Sequence, residues 1–436
     1  MSLARSMLDF VLSYGVAIAG YFGLNVVSAR FLGTSDFGYF VVVLTVTTLI
    51  GQQGLVGLHR AGLREAARAE DDRILGDLRN GVRAVLLVPL PVVALVSGVV
   101  AWVWRADQPQ SVATAVLTGL LVYLSGYQKL SASFLRGLGH VRYANLLEGR
   151  SGGALVAVAQ TLLVLVVAWL FPGWGLTGAL GGAVLGYVPP LLWAGWLLAR
   201  SWGPVRPAPH TLSDLGTAVR RDWRFGAAQA GAYLNSTLEL WMAGVLLTGH
   251  ATSLFAAGQR LSQLLLIPTT SLQVVFSPAV ARLATDPEPG RMQGLVRTGA
   301  SVATVLSGLA WLPMVVAPSL LLTLAFGEEF TAAVPILVLL ATGYFLNSVT
   351  GPSTVALSMS HHEGDVAVVN WAAVVARVVA GLVCANFWGA TGLAASAATI
   401  TALTYVVLWW AARRRVSVST HATLRPDPSL LRKVSG

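Results

Sequence analysis

Long apolar runs separated by short polar connections set the pattern of this chain. A helix needs about 20 apolar residues to cross a bilayer, and such runs lie at about 8–29, 37–58, 84–104, 112–134, 144–170, 175–198, 225–248, 253–277, 298–325, 333–356, 366–388 and 391–412. The pattern therefore predicts an all-α polytopic membrane protein of about twelve spanning helices. It divides into an N-terminal six-helix bundle over 1–200, a linker at 201–223, a C-terminal six-helix bundle over 224–412 and a basic tail at 413–436.

Repetition supports the division. Trp174-Gly-Leu-Thr-Gly178 returns as Trp388-Gly-Ala-Thr-Gly392, 214 positions later, each copy lying between two apolar runs where a tight turn needs glycine. Phe31-Leu-Gly-Thr-Ser-Asp-Phe-Gly-Tyr-Phe40 aligns with Leu247-Thr-Gly-His-Ala-Thr-Ser-Leu-Phe-Ala256 at an offset of 216. Phe134-Leu-Arg-Gly-Leu-Gly-His-Val-Arg142 aligns with Ala356-Leu-Ser-Met-Ser-His-His-Glu-Gly364 at 222. Three turns at nearly one spacing indicate a duplication, and an even helix count per half makes the halves parallel repeats. Gly178, Gly182 and Gly186 share one helix face and are expected to pack inside their own half. Prolines at 89, 91, 189, 190, 268, 313, 318, 335 and 352 interrupt several spans, as kinks of a protein that bends or as ordinary membrane-helix prolines.

Composition agrees: 55% of residues are hydrophobic and 11% charged, with a mean hydropathy of +0.69, whereas soluble proteins carry about 25% charged residues. The net charge of +10 is explained by where it sits. Of 29 Lys and Arg residues, all but Arg30, Arg105, Lys129, Arg150, Arg260 and Arg377 lie at the termini or in alternate connections. The positive-inside rule then places both termini in the cytoplasm of a cell-membrane protein, with the basic charge set by topology and contact with anionic lipid and no role for nucleic acid. The segment 59–83, with six arginines against Glu65, Glu70, Asp71, Asp72 and Asp77, reads as a solvated amphipathic helix. The first apolar run contains Tyr14 and Asn25 and exceeds a signal-peptide core, so it reads as the first membrane helix. The single cysteine, Cys384, allows no intramolecular disulfide and reads as a core filler.

Ionisable groups inside spans carry the functional information, since each costs about 2.5–3.5 kcal/mol at a helix centre unless it meets a partner or water. They are Lys129, Glu148, Arg150, Glu239, Arg260 and Arg377. Lys129 is placed to snorkel, and Glu148 and Arg150, two apart, do not face one another on a helix. Glu239 and Arg260 lie at similar depth on adjacent helices and are expected to pair, either facing an interior cavity or locking the hairpin. Arg377 is the deepest cation. Gln52 and Gln53 diverge by about 100° on a helix, so one faces protein or water. His361-His362-Glu363 with Asp365 reads as a polar turn rather than a metal site, and no Walker loop or Gly-x-Ser-x-Gly elbow is present, so the reading is of a non-enzyme.

The stretches Leu234-Asn-Ser-Thr-Leu-Glu-Leu-Trp-Met-Ala-Gly-Val245, Leu254-Phe-Ala-Ala-Gly-Gln-Arg-Leu261, Leu266-Ile-Pro268 and Val275-Phe-Ser-Pro-Ala-Val-Ala-Arg-Leu283 resemble polysaccharide flippases of the multidrug, oligosaccharidyl-lipid and polysaccharide exporter superfamily. Arg30 to Tyr39 with Gly57-Leu-His-Arg-Ala-Gly-Leu-Arg-Glu65 resembles the matching first-half signature. The resemblance covers essentially the whole chain, through short apolar motifs that are more specific for the superfamily than for a branch.

It implies two pseudo-symmetric bundles around a central cavity that move a polyprenyl-diphosphate-linked oligosaccharide to the outer leaflet by alternating access. Arg260 matches a cavity arginine of the peptidoglycan-precursor flippases, although twelve helices rather than fourteen argue against that branch. Glu239 stands where the polysaccharide branch commonly has an acid. On this reading Arg260, Arg377 and Arg150 hold the diphosphate, Glu239 and Glu148 supply an ion pair or coupling, and Gln52, Gln53 and Asn25 meet the sugars. The partners are the lipid-linked glycan, membrane lipid and polysaccharide assembly machinery. No cofactor is expected, and coupling to Na+ or H+ stays open. The alternative is a cation-coupled drug exporter of the same fold, which would weight acidic residues over arginines; a membrane polymerase or ligase would need a large external loop that is absent from the pattern.

Overall fold

A computed structural model of the protein describes residues 3–55, 58, 72–108, 110–148, 153–201, 230–231, 233–283, 289–423 and 425. All regular structure among them is helical, and the chain divides into two compact units, Met1–Tyr233 and Leu234–Gly436. The first contains α1 (Leu3–Gln53), α2 (Asp72–Leu87), α3 (Pro89–Trp104), α4 (Ser111–Gly137), α5 (Val141–Leu147), α6 (Gly153–Leu170), a 3-10 turn at Pro172–Trp174 and α7 (Gly175–Ser201). The second contains α8 (233–246), α9 (Gly249–Ser262), α10 (Leu266–Leu283), α11 (Pro289–Val316), α12 (Pro318–Ala325), α13 (Val334–Thr350), α14 (Ser353–Met359) and α15 (Glu363–Arg415).

Seven helices among the described residues are long and apolar enough to cross a membrane. Two of them, Ser13–Gln53 and Glu363–Arg415, are each a pair of spans joined at a single glycine, Gly33 or Gly389. Residues 59–71 and, of the linker, 202–223 lie outside the described residues. Helix α4 lacks the required hydropathy because Thr114, Thr118, Ser125, Gln128, Ser131 and Ser133 line its buried side. There it packs on α1 and α7, so its polar groups face protein.

Two of the three repeated turns share their backbone; in the pair at offset 216, Gly33 (φ 62°) turns left-handed whereas Gly249 begins a helix. Gly175 (φ 46°, ψ −129°) and Gly389 (φ 57°, ψ −141°), the first glycines of the two Trp-Gly-x-Thr-Gly copies, adopt one conformation that a side chain would strain. The pair at offset 222 matches too: Gly139 (φ 85°) and His361 (φ 61°) both turn left-handed. The next residues, His140 and His362, donate their amides to Leu135 O at 2.8 Å and Leu357 O at 3.0 Å.

Several prolines prove to be helix starts rather than kinks. Pro89, Pro318 and Pro335 occupy first turns, where a missing N–H costs nothing. The expected third, ninth and tenth spans are therefore broken, at Val88, Ala317 and Gly351-Pro352. Pro189, Pro190 and Pro313 lie inside helices.

The glycine face of α7 packs on α6 within its own unit. A Cβ on Gly182 would stand 2.9 Å from Val164 Cα, and one on Gly186 would stand 2.5 Å from Gln160 Cα. Gln160 Nε2 then donates to Ala183 O at 2.9 Å across the same contact. Gly98 and Gly119 make a second close crossing, between α3 and α4: a Cβ on either would come within 3.0 Å of a carbonyl on the opposite helix. Beyond α15, residues 416–423 run back along the C-terminal unit with Val418 and Thr420 buried.

Gly186→Ala should lower the unfolding temperature of the detergent-solubilised protein, since overpacking costs about 1–3 kcal/mol. Gly181→Ala on the same helix meets nothing within 4 Å and should leave it unchanged or raised. Equal behaviour of the two variants would refute the close α6–α7 approach.

Candidate functional site

In the C-terminal unit, charge is buried where α8 meets α15. Glu239 is 3% exposed and Arg377 6%. An Arg377 guanidinium nitrogen bonds Glu239 Oε1, and the second terminal nitrogen donates to Thr401 Oγ1 at 2.9 Å. Arg377 and Thr401 stand on the two arms of α15, each twelve residues from the Gly389 break. At a helical rise of 1.5 Å per residue that is about 18 Å from the turn, close to the middle of a hydrocarbon core about 30 Å thick. The three groups thus tie three helical segments together at mid-membrane depth.

One turn before Glu239 on α8, Asn235 Nδ2 donates to Asn370 O at 3.1 Å and Asn370 Oδ1 at 3.2 Å. Asn235 and Glu239 are four apart, and Asn370 and Arg377 seven apart, spacings that keep each pair on one helix face. The polar seam is therefore written into both helices. Arg260, 5% exposed on α9, donates to Gln263 Oε1 at 3.1 Å, and Gln263 Nε2 reaches Ser236 O at 3.5 Å. Arg260 is in this way attached to the same stretch of α8, between Asn235 and Glu239. The sequence expectation paired Glu239 with Arg260; the cation that the structure brings to Glu239 is Arg377, 138 residues further along the chain. Asn235, Asn370, Thr401 and Gln263 were not anticipated, although the spacing of Asn235 from Glu239 and of Asn370 from Arg377 was visible.

The N-terminal unit holds its ion cluster near the α4–α5 turn. Lys129 Nζ meets Glu148 Oε1 at 2.9 Å, while Arg136 forms an ion pair with Glu148 Oε2 and donates to Asn145 Oδ1 at 2.8 Å. The snorkelling expectation for Lys129 did not include this counter-charge, which Glu148 supplies from just past the end of α5. Arg150 lies outside the described residues. Asn25 is 1% exposed and donates to Tyr21 O at 2.6 Å within α1, so as placed it is a packing group rather than an open sugar contact. Gln52 and Gln53 are half-buried at the end of α1.

At the opposite end of the unit, Arg105 lies over the Tyr39 ring at 4.5 Å and meets Asp36 at 3.3 Å. The His361-His362 turn is polar: His362 Nδ1 stands 3.7 Å from Asp365 Oδ2, which also meets Arg415 Nε at 3.3 Å. Among the described residues, no group of three or more His, Cys, Asp or Glu side chains could hold a metal ion.

A family described as polysaccharide biosynthesis protein matches residues 7–284. A relative described as a probable low-salt glycan biosynthesis flippase, from Haloferax volcanii, is 21% identical over 425 residues, covering 93% of this chain and 82% of that protein. Among solved structures, the lipid II flippase MurJ in an inward closed conformation matches with a TM-score of 0.72 and 11% identity, over 98% of this chain and 89% of that one. An inward-facing multidrug resistance transporter of the MATE family and MOP superfamily matches with a TM-score of 0.66 and 13% identity, over 95% of this chain and 98% of that one. At such identities the structural matches establish the fold alone, that of transporters of about twelve helices.

Removing one partner of the buried pair leaves an uncompensated charge, at a cost of about 3–5 kcal/mol, whereas replacing both by apolar groups is often neutral. Glu239→Leu and Arg377→Met should each sharply reduce the folded protein recovered, and the double variant should recover most of it. Single variants as stable as the parent in thermal unfolding would show that the two side chains do not share a dry site.

Proposed function

The chain belongs to the polysaccharide biosynthesis protein family, and from that premise we propose that it flips a polyprenyl-diphosphate-linked oligosaccharide from the cytoplasmic to the outer leaflet by alternating access. A flippase-like role in glycan biosynthesis is supported at the level of the family and its relative. The observation that carries the finer reading is the pair of buried arginines, Arg260 and Arg377, attached to one stretch of α8.

A diphosphate is doubly anionic and cannot shed its charge in hydrocarbon, so its carrier must offer cations already desolvated and held in place. Guanidinium suits the task, since its planar donors match phosphate oxygens and it stays protonated. Arg377 is neutralised by Glu239, so an arriving diphosphate competes with an internal carboxylate for the same donors. Binding then exchanges one anion for another rather than stripping a bare cation, which keeps the site stable while empty. Neutral seam groups, Asn235, Asn370 and Thr401, offer hydrogen bonds for sugar hydroxyls. Both termini are cytoplasmic in this reading, following the bias of the basic connections.

The second reading, a cation-coupled drug exporter, is favoured by the fold match to the multidrug transporter. A leaflet-resolved assay of lipid-linked sugars separates the two. Arg260→Ala at parental protein level should slow outward movement by about tenfold or more, as expected for loss of a charge-assisted bond worth about 1.5–3 kcal/mol, with Arg260→Lys intermediate. Unimpaired outward movement of the glycan lipid in the alanine variant, or drug sensitivity with normal glycan display in a depleted strain, would overturn the reading.

A further inference from the structure

At Gly351-Pro352 the helix that α13 and α14 would form is broken, and three carbonyls lose their helical partners. Pro352 has no N–H to give Ser348 O, and the Ser353 amide turns to Gly351 O at 2.8 Å. The structure supplies replacements for all three. Thr304 Oγ1 on α11 donates to Ser348 O at 3.1 Å. The Ala422 amide donates to Val349 O at 3.0 Å, and Thr420 Oγ1 donates to Thr350 O at 2.8 Å. Two of the three donors come from the segment that follows α15.

That segment is held along its length. Ser417 (φ 57°) turns the chain back after α15. The Ser419 amide donates to Gln293 Oε1 at 2.9 Å, and the Thr423 amide to Ser301 Oγ at 2.8 Å, both on α11. Ser301 Oγ returns a bond to Thr423 O at 2.8 Å. Ser353 Oγ and Thr420 Oγ1 are 2.7 Å apart. Val418, 1% exposed, packs with Phe276, Val280 and Met292, and Thr420 is fully buried. His421 Nδ1 accepts from Trp409 Nε1 at 3.2 Å on α15, and burial, with the Arg297 and Arg413 cations, holds the imidazole pKa below its usual value. Gly351 (φ 75°) is required for room as well as for the turn, because a Cβ there would overlap Thr420 O.

We infer that residues 416–423 are an intramolecular peptide ligand: the break between α13 and α14, with α11 beside it, forms a groove that binds an extended segment through its main chain. Recognition works as in strand addition, with backbone bonds giving affinity and two alternate side chains, Val418 and Thr420, filling pockets. Occupancy fixes the bend and couples α11, α13, α14 and α15 at one end of the C-terminal unit. Because a broken backbone in a membrane protein must have its polar groups satisfied, vacating the groove penalises the bent form and loosens α14. The inference does not depend on which molecule is transported.

The test uses hydrogen exchange of the α14 amides in the full-length protein, in Thr420→Val, and in a chain ending at Arg415. Thr420→Val keeps shape and removes the hydroxyl bonds at about 1 kcal/mol each, so exchange should rise roughly fivefold or more. The shortened chain should exchange faster still, and added synthetic peptide of residues 416–423 should restore protection where the same peptide with valine at 420 does not. Unchanged α14 exchange in Thr420→Val, or faster exchange in the shortened chain that the parental peptide fails to reverse, would overturn the inference. Should the shortened chain not fold, Thr420→Val and Ser301→Ala in the full-length protein decide it. None of these readouts requires glycan transport, so failure of the flippase reading would leave them standing.

Discussion

No water enters the hydrocarbon core to complete a peptide group's hydrogen bonds, so each place where a helix of this protein stops or bends must be serviced from elsewhere in the chain. That constraint explains features that otherwise look unrelated. Prolines sit where a helix begins anyway, at Pro89, Pro318 and Pro335. Glycines make the sharp reversals at Gly33, Gly175 and Gly389. Hydroxyls point at carbonyls, as Ser125 does to Thr47 O at 3.0 Å and Ser307 to Leu265 O at 3.1 Å. The Gly351 break recruits a separate peptide segment.

Charge obeys the same logic at higher stakes. The buried Arg377 is matched by Glu239 and Thr401, and the half-buried Lys129 and Arg136 share Glu148. Cations held in a medium that rejects them need counter-charges, and internal carboxylates supply them here. In the C-terminal unit Arg377 of the pair lies twelve residues from the Gly389 break; in the N-terminal unit the cluster gathers where α4 ends and α5 begins.

Much of this was legible in the sequence. Apolar runs located the helices, and the Trp-Gly-x-Thr-Gly repeat located turns whose backbones coincide. The glycine ladder of α7 identified a packing face because its spacing fixes direction. What escaped detection were contacts between segments far apart in the chain. Glu239 was paired with Arg260 because sequence neighbours are the only neighbours a sequence displays, while its observed partner comes from α15. Lys129 was read as snorkelling from its place near the end of its helix, and its contact with Glu148, 19 residues on, was not visible in that placement. Residues 416–423 read as part of a basic tail, since serine, threonine and valine in alternation give no sign of the groove that receives them.

The separation of Glu239 from Arg377 has a bearing on biogenesis. At roughly 5–20 residues per second the ribosome makes the 138 residues between them in about seven to twenty-eight seconds, so the acid is in place before the base that pairs with it is made. A carboxylic acid can wait as its neutral form; a guanidinium cannot. Synthesising the acid first and the base last is therefore the cheaper order, and the translocon releases Arg377 into a membrane that already holds its counter-ion.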